Sequence, residues 1–211
     1  MKYEYKIFSL LFVLGFLGCN NKPDSIGDIS KEEYEVYSIV IDSLYKNHSQ
    51  SIYIIADSTD RNHYKLDIRY FKNGEWIESK ELDGLHYRDS SLFNSDYEEL
   101  SSNFQLKNEK YYQINSKLLN TTVHINQITT DSLDKIFSFE SSKDWTLFYK
   151  IFPNSDGLIS LSRVGFNTKN NIAVLYHSRI KGSLYGEGVY ILLHKINSKW
   201  QIKKIQRDWI S

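Results

Sequence analysis

Apolar positions follow two rhythms along this chain, a helical one early and a strand one late. Between Lys31 and Asn47, residues Tyr34, Tyr37, Ile41, Leu44 and Tyr45 recur at helical intervals, with Glu32, Glu35, Asp42 and Lys46 on the polar face. That pattern predicts an amphipathic helix. Ser30 followed by Glu33 has capping-box spacing and sets its start. The short β-branched run Ser51 to Ala56 reads as a buried strand. Next, Tyr64, Leu66, Ile68 and Tyr70 alternate with Lys65, Asp67 and Arg69, and Asn73-Gly74 supplies a hairpin turn into Trp76 and Ile77. Asp83 to Asn94 is weakly patterned and reads as loop. Tyr97, Leu100 and Phe104 suggest a short helix over Asp96 to Phe104, and Thr121 to Ile128 alternates like a strand. Asp131 to Phe137 and Ser142 to Phe152 read as two further helices. The second has Trp145, Phe148, Tyr149 and Phe152 on its apolar face and stops at Pro153.

From Gly157 onward the period is that of strands: Leu158 to Phe166, Ile172 to Arg179, Gly188 to Ile196 and Lys199 to Asp208, with Asn197-Ser198 as a tight turn. Strands joined this briefly pair antiparallel. The expected fold is therefore α+β, an amphipathic N-terminal helix and short helices packed on an antiparallel sheet that ends in a four-stranded C-terminal meander.

The first residues change the picture of where this domain works. A charged segment, Met1 to Lys6, precedes the largely apolar run Ile7 to Leu17, which is shorter than the ~20 residues a membrane span needs and has the layout of a signal peptide. Phe16-Leu17-Gly18-Cys19 resembles the lipobox of envelope lipoproteins. The resemblance implies cleavage before Cys19 and acylation of its thiol, although Phe16 and Leu17 depart from the usual residues. Residues 1–18 then read as a lipoprotein signal peptide, 19–30 as lipidated Cys and flexible tether, and 31–211 as a single globular domain.

Cys19 is the only cysteine, so its acylation would leave the folded body without disulfides, thiolate zinc sites or a thiol nucleophile. The chain carries 26 basic and 26 acidic side chains, and removing Lys2, Glu4 and Lys6 leaves a net charge of about −1. This balance argues against a nucleic-acid partner, which a basic face normally serves. The expected attachments are a membrane, through Cys19, and an unidentified protein, peptide or glycan. Asn20 lacks the acidic side chain that resembles an inner-membrane retention signal, which favours the outer membrane.

Several short stretches carry a further resemblance: Ile54 to Thr59, Trp145-x-x-Phe148-Tyr149, Pro153-Asn154-Ser155-x-Gly157, Ser160-x-Ser162-Arg163-Val164-Gly165-Phe166-Asn167, Gly186-Glu187-Gly188, Trp200, Trp209 and Ser211. Together they resemble a family of uncharacterised bacterial proteins, many of them predicted lipoproteins of Bacteroidota-like organisms. The likeness is strongest in the last third of the chain and implies no activity. Members often carry two cysteines before the Gly-Glu-Gly, whereas Ser178 to Tyr185 has none here.

Candidate chemistry is sparse. Arg163 lies in an apolar strand, where a guanidinium needs a carboxylate, and Glu187 is the first partner to test. A buried structural ion pair is the plainer reading and ligand capture the bolder one. Gly186 and Gly188 suit a turn or bulge with positive φ and lack the context of a dinucleotide fingerprint. His48, His63, His86, His124, His177 and His194 show no H-E-x-x-H spacing, though His177 and His194 on adjacent strands could face each other. Ser160 and Ser162 lack a G-x-S-x-G elbow, and Glu140 with Asp144 reads as a solvated face rather than a catalytic dyad. No metal or cofactor is implied. Trp145, Tyr149, Tyr176, Tyr190, Trp200 and Trp209 could line a binding face for sugars or extended peptides, but their spacing fits burial better. The sequence thus favours a lipid-anchored binding or accessory module; the alternative is an envelope hydrolase or glycan-active enzyme with a site near Arg163 and Glu187.

Overall fold

A computed structural model describes residues 28–47, 51–60, 71–72, 75–76, 95–137 and 144–211. The signal peptide, Cys19, most of the tether, the Tyr64 to Tyr70 strand, the Asn73-Gly74 turn, the Asp83 to Asn94 loop, Glu140, His48, His63 and His86 lie outside the described residues. The helices are α1 (Lys31–Tyr45), α2 (Ser95–Lys107), α3 (Thr130–Ile136) and α4 (Asp144–Ile151). The strands are β1 (Ile52–Ala56), β2 (Phe71–Lys72), β3 (Glu75–Trp76), β4 (His124–Ile128), β5 (Ser155–Leu161), β6 (Gly165–Phe166), β7 (Ile172–Gly182), β8 (Tyr185–Ile196) and β9 (Lys199–Ile210). The fold is α+β, as its sequence pattern implies.

Seven strands form one mixed sheet in the order β4-β1-β5-β7-β8-β9, with β6 paired to β7. The expected meander is present as β5-β7-β8-β9, every neighbour antiparallel. Beyond it the sheet differs from expectation: β1 lies parallel between β4 and β5. Strand periodicity reports which residues face the core, not which strand lies alongside, so this pairing was invisible locally. β2 and β3 form a separate two-stranded ribbon.

Helices cover both faces of the sheet. On one face α1 sends Tyr34, Val36, Tyr37, Val40, Ile41 and Tyr45 against Tyr53, Ile55, Ile159, Leu175, Ile191 and Leu193. On the other, α2 packs Tyr97, Leu100 and Phe104 on Ile172, Val174, Tyr176 and Leu192. A third cluster joins Ile54 and Ile128 to Ile136 of α3 and Phe148 of α4. Alternate residues of β1 and β7 therefore enter opposite cores, which is why β7 is buried from Ile172 through Ser178 without a polar stripe.

Two local expectations are corrected. The run Leu158 to Phe166 is two strands, because the backbone N–H groups of Arg163 and Val164 donate to Asn108 Oδ1 (2.7 Å) and Glu33 Oε1 (3.1 Å). Those donors are lost to the ladder, and Ser162 bridges the break by accepting from Tyr176 N–H at 2.8 Å. Gly186 and Gly188 do not have positive φ; among the described residues the only such glycine is Gly157. They are glycines for want of room: a Cβ on Gly188 would lie 2.0 Å from Tyr176 Oη and 2.2 Å from Trp209 Nε1, and one on Gly186 would lie 3.0 Å from the same indole. The Trp209 N–H donates to Tyr176 Oη at 2.6 Å directly over this strand. A register shift at Gly188/Val189 supplies the anticipated bulge. The Asn197-Ser198 turn has both residues at positive φ, as a type I′ hairpin requires.

Candidate functional site

Glu33 and Arg163 form the centre of the α1 face. The capping box is complete, with Ser30 Oγ accepting from Glu33 N–H and Glu33 Oε2 accepting from Ser30 N–H at 3.0 Å. The same carboxylate receives Arg163 Nε at 2.7 Å on Oε1 and Arg163 Nη2 at 2.9 Å on Oε2, with Lys107 Nζ 3.7 Å away. Counting Val164 N–H, four donors converge on one buried carboxylate. Burial opposes its ionisation, but the hydrogen bonds from Arg163 and the charges of Lys107 and Arg163 hold Glu33 below the usual carboxylate range. Arg163 is itself 2% exposed, and its guanidinium lies 4.2 Å from the ring centre of Tyr112.

Arg163 and Glu187 are therefore not partners. Glu187 accepts from Arg179 Nη2 at 3.0 Å, directly across the β7–β8 ladder, where Arg179 also approaches Asp156 at 3.4 Å. Lys181 pairs with the other oxygen of Asp156, and Tyr53 Oη donates to Asp156 at 3.1 Å. Burial works against the Asp156 charge, yet Lys181 and the other donors lower its pKa. Beneath this network His177 Nε2 meets Tyr45 Oη at 2.7 Å, and Nδ1 is buried without a partner. Burial first, then the nearby Arg179 charge, drives the His177 pKa down to about 3. His177 and His194 do not face each other: they lie opposite Val189 and Ile172 respectively.

That neutral imidazole makes stability depend on pH. An unfolded His takes a proton near 6.5 whereas folded His177 resists until about 3. The unfolded state binds more protons in between, so stability is whole above 6.5 and falls below it by up to ~1.4 kcal/mol per pH unit. Urea unfolding at pH 6.5 and 5.0 is expected to show this loss, and His177→Gln to remove most of the difference. Equal slopes in the two proteins would refute the assignment.

A further candidate is a cleft of about 440 Å³ beyond the carboxyl ends of the parallel strands β1 and β4, lined by Asp57, Ser58, Tyr111, Tyr112, Gln113, Thr129, Thr130 and Asp131. Its floor is well held. Asp57 Oδ1 accepts from Thr130 N–H (2.8 Å) and Thr130 Oγ1 (2.9 Å), tying β1 to the start of α3. Thr59 and Tyr112 exchange two hydrogen bonds, Thr59 N–H to Tyr112 O at 2.9 Å and Tyr112 N–H to Thr59 Oγ1 at 3.0 Å. Tyr112 is backed by Arg163, and Tyr111 is 57% exposed at the mouth.

Of the aromatic set read from sequence, Tyr176 and Trp200 are core, and Trp145, Tyr149, Tyr190 and Trp209 are half-buried. Ser162 is enclosed, its hydroxyl donating to Arg163 O at 2.9 Å, and Ser160 lies opposite Ser178 in the ladder. Sequence reading missed Tyr111, Tyr112 and Asp57, whose only local signal is a Tyr pair in an otherwise polar stretch. It also missed Glu33 as a counterion, because its capping role already accounted for it. Comparison of the chain with protein-family models, curated proteins and solved structures finds no match.

Proposed function

We propose that this chain is a lipid-anchored envelope module that binds a polyhydroxylated, sugar-like ligand in the cleft beyond β1 and β4. The observation that carries the reading is the composition of that cleft: the exposed Tyr111 ring and the exposed Asp131 in one lining with the Asp57 carboxylate and the Thr130 hydroxyl that donates to it. The apolar face of a sugar ring stacks on an aromatic side chain while its hydroxyls bond to carboxylates and amides, and a cleft of this size encloses one or two sugar units. Arg163 is a positioning residue here, holding Tyr112 from behind. The anchor rests on Cys19 and its flanking sequence, with the polar tether letting the body work a short distance from the outer membrane. The enzyme alternative drew on Arg163 and Glu187, which are engaged by Glu33 and Arg179.

Titration of the full chain in detergent with a panel of neutral and acidic oligosaccharides is expected to give saturable binding to at least one. Tyr111→Ala should weaken that binding roughly tenfold, ~1.4 kcal/mol, without changing the melting temperature. Binding unaffected by Tyr111→Ala, or none across the panel, would reject the cleft. Mass spectrometry of the mature amino terminus tests the anchor separately, with an acylated Cys19 expected and lost in Cys19→Ala.

A further inference from the structure

The sheet ends in a strand built to receive another. β9 runs for 12 residues and, among the described residues, pairs with β8 alone, none of them covering its outer backbone edge. Edge strands are ordinarily short or covered, since an open row of N–H and C=O groups templates further pairing. Here the strand is long and carries Lys199, Lys203, Lys204 and Arg207 against Asp208, in a chain whose 26 basic and 26 acidic side chains balance overall. Among the described residues none of these four cations has an ion-pair partner, whereas Lys195 on the neighbouring strand is held by Glu32 at 2.5 Å.

Apolar side chains interleave with the cations. Ile205 and Ile210 are 45% and 67% exposed. Their ladder partners are Ile191 and Glu187, and Arg207 stands opposite Val189 between them, so the three share the α1 face of the sheet. Lysines alone would suffice to keep an edge apart; two exposed isoleucines on one face of that edge would not serve that end.

We infer that β9 is a docking edge for an extended acidic segment of a partner protein, which adds a strand to the sheet. Main-chain hydrogen bonds along β9 supply the affinity, apolar side chains of the added strand cover Ile205 and Ile210 on the α1 face, and its carboxylates point to the opposite face toward Lys204, with Lys203 at the bulge and Arg207 adding to the positive field. A second copy of this chain does not fit, because pairing β9 with itself sets four cations beside four. The surface is distinct from the Tyr111 cleft, which lies at the β1–β4 end of the sheet.

The test uses a fluorescent dodecapeptide of alternating Glu and Val with the full chain in detergent, beside its Lys–Val counterpart. The Glu–Val peptide should bind, slow hydrogen exchange of β9 amides, and weaken at high salt. The triple variant Lys203→Glu, Lys204→Glu, Arg207→Glu should lose at least tenfold in affinity with an unchanged melting temperature. Equal binding of the Lys–Val peptide, binding that leaves β9 exchange unchanged, full affinity in the triple variant, or self-association through β9 without peptide would each overturn the inference.

Discussion

Replacing Arg163 with alanine is expected to lower the unfolding free energy by ~3–5 kcal/mol, because it leaves the buried Glu33 carboxylate without its bidentate partner. Against a typical domain stability of ~5–15 kcal/mol, that loss brings the protein close to unfolding. Three further consequences identify the mechanism. Glu33→Ala should cost at least as much, since it also removes the acceptor for Ser30 N–H and Val164 N–H. Arg163→Met combined with Glu33→Leu should be milder than either single change, since no charge is then stranded. Arg163→Ala stability should also recover partly at low pH, where the orphaned carboxyl becomes neutral. Urea unfolding of the four proteins reads all of this. A single-variant loss below ~1 kcal/mol would place the pair among weak surface bridges and refute the account.

Gly165→Ala should be the next most damaging change. An added Cβ would stand 2.5 Å from Phe104 Cβ, 2.7 Å from its Cα and 2.9 Å from its backbone nitrogen. These atoms belong to α2 itself, so no rotamer change relieves the clash and the helix must withdraw from β6. Overpacking of this kind costs ~1–3 kcal/mol, and here it also pulls Tyr97, Leu100 and Phe104 off Val174 and Tyr176. Gly182→Ala is the control: nothing lies within 4 Å of its added Cβ, and a change within ~0.5 kcal/mol is expected. Comparable changes for the two variants, by thermal or urea unfolding, would show that close approach to α2 does not govern Gly165.

These two sites explain the stretch Ser162-Arg163-Val164-Gly165-Phe166-Asn167 residue by residue. Ser162 bridges the break in the ladder, Arg163 and Val164 dock on Glu33, Gly165 admits α2, and Phe166 N–H donates to Asn103 Oδ1 at 2.9 Å. Asn167 Oδ1 closes the following turn by accepting from Asn171 and Ile172 N–H, both at 3.0 Å. The segment is where both helical layers meet the sheet. A motif that looked like a possible site holds the fold, and it reaches the cleft only through the stacking of Arg163 on Tyr112.

Local pattern was enough for most of the described elements. The helical spacing of Tyr34, Tyr37 and Ile41, the Ser30–Glu33 cap and the strand alternation after Gly157 each reflect interactions within a few residues, which sequence displays directly. It also pointed to a buried ion pair at Arg163, since a charge in an apolar strand demands a counterion. What it did not reveal was which carboxylate. Glu33 lies 130 residues from Arg163, and any acidic residue satisfies the demand equally well until the chain is folded. The parallel insertion of β1, the Trp209 indole that requires glycine at Gly186 and Gly188, and the convergence of Asp57, Tyr111 and Thr130 on one cleft have the same origin. Each depends on contacts between distant segments, selected by packing two cores against one sheet, and such contacts leave no periodic trace in the segments they join.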